Sequence, residues 1–221
     1  MTRNFKTKEV FINEVTKELA FLMEESINLY GNANILLSGG STPGPVYREL
    51  DKRFESFNDV NIGLVDERFV KSTSDYSNEG LLRECFSSRE EFEYAIQGMV
   101  LDLNDKNNNI KLLESHYNHF SERTDVVVLG MGKDGHTASI FPGDVGSAEA
   151  MVSQDAFLNT LAPTFPENRI TCSMSLICRA NHILLLITGR EKWDVLFNSS
   201  VKLPIHEVLE RRSDVKIFYV D

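Results

Sequence analysis

A histidine two residues after an aspartate, inside a run of glycines, is the arrangement in this chain best suited to moving a proton. The segment reads Gly130-Met131-Gly132-Lys133-Asp134-Gly135-His136-Thr137-Ala138-Ser139-Ile140-Phe141-Pro142-Gly143. Histidine titrates near neutral pH, with a reference pKa of about 6.5, and is the usual general base there. A lone histidine is more often structural. The position of His136 just beyond a Val-rich apolar run, Asp125 to Leu129, favours the functional reading. The segment also contains a formal G-x-G-x-x-G with Asp155 lying 20 residues beyond Gly135, which invites a dinucleotide reading. That reading fails on physical grounds. A dinucleotide fold needs a full crossover helix after the third glycine, and Pro142 with Gly143 stops any helix within two turns.

Two further loops carry chemistry. In Ser38-Gly39-Gly40-Ser41-Thr42-Pro43-Gly44 the glycines let the backbone approach a ligand, and Ser41 and Thr42 add hydroxyls. A helix starting there directs free N–H groups and the positive end of its dipole outward, which suits phosphate. The lysine and glycine spacing of a P-loop are absent. The plainer alternative is a strand-to-helix turn capped by a threonine. In Asp66-Glu67-Arg68, Arg68 offers a two-pronged contact to phosphate or carboxylate, and Asp66 can accept sugar hydroxyls or orient another side chain. A solvated charged turn is the alternative for this triplet. His116 and His119 fall on a predicted helix without a matching Cys or carboxylate set, so they read as surface residues and no metal site is expected. His182 and His206 have no motif support.

These loops must be held by regular elements. Apolar residues Phe11, Val15, Leu19, Leu22, Met23, Ile27 and Tyr30 recur at three- and four-residue steps, predicting a helix from Thr7 to Tyr30 that Gly31 can end. Buried strands are predicted at Ile35–Leu37, Asn61–Val65, Asp125–Leu129, Arg169–Met174, His182–Thr188 and Val215–Val220, with a short one at Tyr94–Ile96. Helices are predicted from about Pro43, over Ser77–Phe86, Ile110–Arg123, Glu191–Asn198 and Ile205–Arg211, with Asp102–Asn109 a polar loop. Continuous apolar strands alternating with helices argue for an α/β fold: a mostly parallel sheet with helices on both faces. Ligands of such sheets sit beyond the carboxyl ends of the strands. The three loops lie at such ends, as does Thr188-Gly189, just before Arg190 and Lys192.

At 221 residues one domain spanning 1–221 is expected. The net charge of −10 opposes nucleic acid and anionic membrane, so neither is an expected partner. An anionic substrate would need a local concentration of basic groups and N–H donors to overcome that field. The first ten residues lack the apolar core of a signal peptide, and the aliphatic run Ile183–Ile187 is too short to cross a bilayer. Three cysteines, Cys85, Cys172 and Cys178, give no disulfide framework and suit a reducing, cytoplasmic setting.

The strings LSGGSTPGPVYREL, VDERFV, SDYSNEGLLR, VVVLGMGKDGHTASIFPG, RITCSM and ITGREK, in this order from about residue 34 to 198, resemble those of the 6-phosphogluconolactonase family. The resemblance implies a modified Rossmann-like (NagB-like) fold and hydrolysis of 6-phosphogluconolactone without metal or organic cofactor. It places His136 as general base and Asp134 at a family acid position. It assigns Gly39, Gly40, Ser41 and Thr42 to a phosphate loop and Arg68 and Lys192 to its basic contacts, with Arg169 beside the site; Asp66, read above as an acceptor of sugar hydroxyls, is counted with the substrate-binding residues. Nothing is carried over to Leu203–Asp221, which departs from the more common pattern. A small sugar phosphate is then the expected partner, with the chain a monomer or homodimer. Two alternatives share the fold: a glucosamine-6-phosphate deaminase and a non-catalytic sugar-phosphate sensor. The deaminases resemble GHIAFNEPG at the histidine loop, where this chain has Phe141 before Pro142. A sensor would normally bring a basic helix-turn-helix stretch, which is not visible here.

Overall fold

The computed structural model describes residues 1–87 and 95–221. The amphipathic helix α1, Lys8–Tyr30, is capped by Thr7, whose Oγ1 accepts from the Val10 amide at 3.3 Å. It ends at Gly31, which takes φ +81°, a left-handed conformation that glycine adopts without steric cost. The face bearing Phe11, Val15, Leu19, Leu22 and Met23 is fully buried. Each such side chain contributes roughly 1.5–3 kcal/mol by leaving water.

That face rests on a sheet of six strands: β1 Thr2–Phe5, β2 Ala33–Leu37, β3 Val60–Leu64, β5 Val126–Leu129, β8 His182–Thr188 and β9 Lys216–Val220. Their spatial order is β1-β9-β8-β5-β2-β3 and every pairing is parallel. Successive side chains of a strand point to opposite faces. Because β2 and β5 are buried at every position, both faces of the sheet are covered there. Helix α1 packs on β1, β2, β5 and β9, while α8, Arg190–Asn198, lies against β8.

Three strands form a second sheet: β4 Asp66–Arg68, β6 Phe157–Leu161 and β7 Asn168–Cys172. Their pairings are antiparallel. Val65 joins the sheets, donating from its amide to Leu37 O at 3.1 Å and accepting from the Cys172 amide at 2.8 Å. The segment expected as one strand over Arg169–Met174 therefore belongs to this smaller sheet, and from Met174 it turns into helix α7, Met174–Arg179. The Ser173 hydroxyl makes that turn by accepting from the Leu176 amide at 3.2 Å.

Other expectations shift as well. The polar stretch 102–109 already contains the first turn of α4, Lys106–His116, because Asp105 caps it through the amides of Asn107 and Asn108. The expected helix Ile110–Arg123 breaks at Tyr117 and resumes as α5, Asn118–Glu122, since Tyr117 is fully buried and its hydroxyl accepts from the Leu64 amide. Of the expected strand Tyr94–Ile96, Tyr94 lies outside the described residues, and Ile96 makes an isolated parallel bridge to Ile62. Strands β1 and β6 and helix α6, Val145–Val152, were not anticipated. Helices α2, Gly44–Arg53, α3, Asn78–Cys85, and α9, Pro204–Arg211, match the sequence reading closely. Among the described residues no helix is long and apolar enough to cross a membrane.

Candidate functional site

Strand β2 leads to β3 on one side, whereas its other neighbour β5 leads on towards β8. Such a reversal of strand order opens a crevice beyond the carboxyl ends of the two strands. A cleft of about 660 Å³ is found there. All ten residues singled out from the sequence line it: Gly39, Gly40, Ser41, Thr42, Asp66, Arg68, Asp134, His136, Arg169 and Lys192.

The loop after β2 is fixed at its root. The Ser38 amide donates to Val128 O at 3.1 Å, and the buried Tyr47 hydroxyl donates to Ser38 O at 2.9 Å. Gly40 then takes φ +109°, a region that favours glycine. Among the described residues, the amides of Gly39, Gly40, Ser41 and Thr42 find no hydrogen-bond acceptor within the protein. A row of free amides on a cleft is an anion cradle. Thr42 does not cap the following helix, contrary to the plainer sequence alternative. Its hydroxyl pairs with that of Thr188 at 2.8 Å, tying the loop to the end of β8.

In the charged triplet the three side chains divide the work. Glu67, 1% exposed, accepts from the amides of Arg68, Asn78 and Glu79 and from the Ser77 hydroxyl, at 2.6–2.9 Å. Its carboxylate thus caps α3, while burial holds its carboxyl above the usual range against those four bonds. Asp66 accepts from the Ser139 hydroxyl at 2.6 Å, and so anchors the histidine loop rather than standing free. Arg68 donates from Nη1 to Tyr76 O and lies opposite Arg169 in the β4–β7 register. Arg169 donates from Nε to Pro166 O at 2.8 Å. Burial first, and then the charge of Arg68, hold the Arg169 guanidinium below the usual arginine range.

Lys192 is half-buried in the first turn of α8, and its ammonium is lowered by burial and by Lys133. Lys133 itself is spent on Glu191 at 2.6 Å. Among the described residues, Arg68, Arg169 and Lys192 form no ion pair. Three cations without an ion pair among the described residues face one cleft in a chain of net charge −10.

The third loop holds the imidazole. Asp134 Oδ1 lies 2.6 Å from His136 Nδ1 and accepts from the His136 amide at 3.2 Å. An ionised carboxylate can only accept, so this contact favours the tautomer with the proton on Nδ1, in which Nε2 is the acceptor nitrogen. The same bond holds the Asp134 carboxyl below the usual range. The ring leans on Phe141, with centroids 4.6 Å apart, and covers Gly132 so closely that any Cβ there would overlap it. Gly135, at φ +77°, lies against Leu203, and its carbonyl accepts from the Ile205 amide at 3.2 Å.

Several contributors escaped the sequence reading. Asn78 lines the cleft and donates to Asp66 O at 2.8 Å, with its side chain against Gly39. Ser139 and Thr171 link the histidine loop to the small sheet, the Ser139 amide donating to the Thr171 hydroxyl at 3.2 Å. Ser77, a helix-capping residue type just ahead of Asn78, was the available signal for the first. Nothing local points to Leu203.

A family model for glucosamine-6-phosphate isomerases/6-phosphogluconolactonase matches residues 6–217. A 6-phosphogluconolactonase of Xylella fastidiosa is 32% identical over 205 residues, covering 87% of this chain and 82% of its own. A probable 6-phosphogluconolactonase of Dictyostelium discoideum is 30% identical, covering 98% and 97%. The crystal structure of a 6-phosphogluconolactonase from Shewanella baltica superposes with TM-score 0.93 at 30% identity, over 100% of this chain and 97% of that one. With the site's geometry and these likenesses together, the chain belongs to the glucosamine-6-phosphate isomerase/6-phosphogluconolactonase family.

Proposed function

We propose that the protein is a 6-phosphogluconolactonase, hydrolysing 6-phosphogluconolactone to 6-phosphogluconate with His136 as general base. The observation that carries the mechanism is the 2.6 Å contact between Asp134 Oδ1 and His136 Nδ1. It supports the tautomer with the proton on Nδ1, which leaves Nε2 able to accept a proton on a side chain that lines the cleft. The names of the family's relatives supply the substrate class.

In this reading the phosphate lies on the free amides of Gly39–Thr42, with the cationic side chains of Arg68, Arg169 and Lys192 in the same cleft. That clamp orients a small polar substrate and supplies much of the cost of positioning. Nε2 of His136 takes a proton from water as the water oxygen bonds to the lactone carbonyl carbon. The carbonyl electrons move onto oxygen, and the resulting oxyanion is stabilised by N–H donors or a cation in the cleft. When the oxyanion collapses, the bond from that carbon to the ring oxygen breaks. The imidazolium returns its proton to the ring oxygen, giving an open-chain acid that ionises. No step needs a redox partner.

The test is a coupled assay with freshly generated 6-phosphogluconolactone, corrected for spontaneous hydrolysis. Turnover far above the spontaneous rate is expected. A rate indistinguishable from the blank at micromolar enzyme would reject the reading.

A further inference from the structure

The two cleft arginines are held by two different surface segments. Arg68 donates to the carbonyl of Tyr76, and Arg169 to that of Pro166 at 2.8 Å. The rings of Tyr76 and of Phe165, the residue before Pro166, meet edge to face, with centroids 5.3 Å apart and planes at 89°. Both are largely in water, at 48% and 72% exposure, so their contact adds little to the core. It extends the join between the segments beyond the hydrogen bond from the Phe69 amide to Asn168 O at 2.9 Å. Pro163 and Thr164, just ahead of Phe165, line the cleft themselves.

What this contact opposes is visible in the strand register. Arg68 and Arg169 stand opposite one another across β4 and β7, and like charges so placed repel. Among the described residues neither has a carboxylate in ion-pair range. A two-arginine grip on an oxyanion binds more tightly when both guanidiniums are already converged, since the cost of bringing them together is then not taken from the binding energy. The carbonyls of Tyr76 and Pro166 accept from the two guanidiniums, and the aromatic pair joins the segments that carry those carbonyls.

We infer that the Tyr76–Phe165 contact is a clasp that keeps Arg68 and Arg169 converged on the anionic group of the substrate, making both aromatic residues positioning residues for binding. The inference rests on the lactonase reading for the identity of the substrate, but not for the anion grip itself.

The test uses Phe165→Ala, Tyr76→Ala, the double variant and Phe165→Tyr. Each is assayed for KM and kcat with 6-phosphogluconolactone and, without turnover, for binding of inorganic phosphate by calorimetry. Each single alanine variant should raise KM and weaken phosphate binding about three- to tenfold, the fold-change an aromatic pair is worth. The double variant should be no worse than the singles, since both remove one interaction, and Phe165→Tyr should restore wild-type values. The change in kcat should stay within about twofold, because the clasp acts on binding rather than on the proton transfer. Should either alanine variant unfold, Phe165→Leu keeps the bulk without the edge-to-face contact and carries the same expectation. Unchanged KM and phosphate affinity, or fully additive singles, would overturn the clasp while leaving the lactonase reading in place. Absence of lactone hydrolysis with the phosphate pattern intact would remove that reading and leave the clasp.

Discussion

Asp134 Oδ1 contacts His136 twice, at 2.6 Å from Nδ1 and 3.2 Å from the backbone amide, so one carboxylate oxygen orients both the ring and the loop that carries it. His136→Ala should lower kcat by about 100- to 10,000-fold, the usual cost of losing a positioned base. Asp134→Asn should give a smaller fall, because the base remains but its tautomer is no longer enforced. Asp134 is held below the usual carboxylate range, so the stability gained from its contacts is present above about pH 4 and is lost as pH falls through that lowered value. A kcat for His136→Ala near wild type would end the assignment.

Gly132 lies directly under the imidazole. Gly132→Ala should push the ring off its place and lower kcat more than tenfold, since small misplacements of a catalytic group cost up to about 100-fold. The melting temperature should move little, because Gly132 does not take a positive φ and is only partly buried. Steady-state kinetics and calorimetry on one preparation separate the two effects.

Arg68 and Lys192 carry charge into the cleft without a carboxylate partner among the described residues. Arg68→Ala and Lys192→Ala should each raise KM, and should weaken its dependence on salt, because there is less charge left to screen. Arg68→Ala should not lower thermal stability appreciably, since it also relieves the repulsion with Arg169, a pairing of a kind that costs a few tenths of a kcal/mol to about 1 kcal/mol. Comparable rates on the unphosphorylated lactone would remove the phosphate clamp from the account.

Asp214 pairs with Arg212 at 2.7 Å, and that contact lowers its carboxyl to about 2. A depressed acid stabilises the folded state above its unfolded value near 3.8, and the benefit fades as pH falls towards about 2. Asp214 is 60% exposed, so water screens the pair and the contribution stays below about 1 kcal/mol. Urea unfolding of wild type and Asp214→Asn should differ at pH 5 and converge at pH 2. A difference that persists at pH 2 would contradict the assignment.

Phe141, the residue before Pro142, is buried against His136 and has no proton to move. A deaminase must shift a proton between two carbons, which calls for a second carboxylate beside the imidazole in addition to Asp134, and Phe141 occupies the position before the proline where the deaminase segment has a glutamate. Glucosamine 6-phosphate should therefore yield no ammonia with this enzyme, measured by a coupled glutamate dehydrogenase assay. Ammonia at a rate comparable to lactone hydrolysis would move the chain to the deaminase branch of the family.

The interior strands were legible because burial on both faces writes itself as an uninterrupted apolar run, as in Val126–Leu129 and His182–Thr188. Strand β1 was not, because Thr2–Phe5 is an edge strand with alternate residues in water, too short to show a period. Helix α6 carries Gly146 near its start and a mixed face, and its cap, Asp144, bonds the Ser147 amide at 2.7 Å without any flanking apolar pattern. The three cleft loops stood out locally, as glycines and charges at the ends of apolar runs. What joins them did not. The facing of Arg68 and Arg169 depends on strand pairing between distant segments, and Glu67 reads as one more surface acid until its four donors are seen.

The seating of Gly135 against Leu203 and the Ile205 amide also sets an order of assembly. Chains emerge from the ribosome amino end first, and the glycine loop with Asp134 and His136 leaves the tunnel well before α9. Until residues 203–205 arrive, the Gly135 carbonyl lacks its partner and the loop keeps a freedom that the finished molecule denies it. A chain truncated just before Leu203 carries every polar side chain of the cleft, Lys192 included, while lacking the backing that holds its imidazole still. Competence for chemistry is then gained late, when the segment that contributes no side chain to the cleft docks behind it.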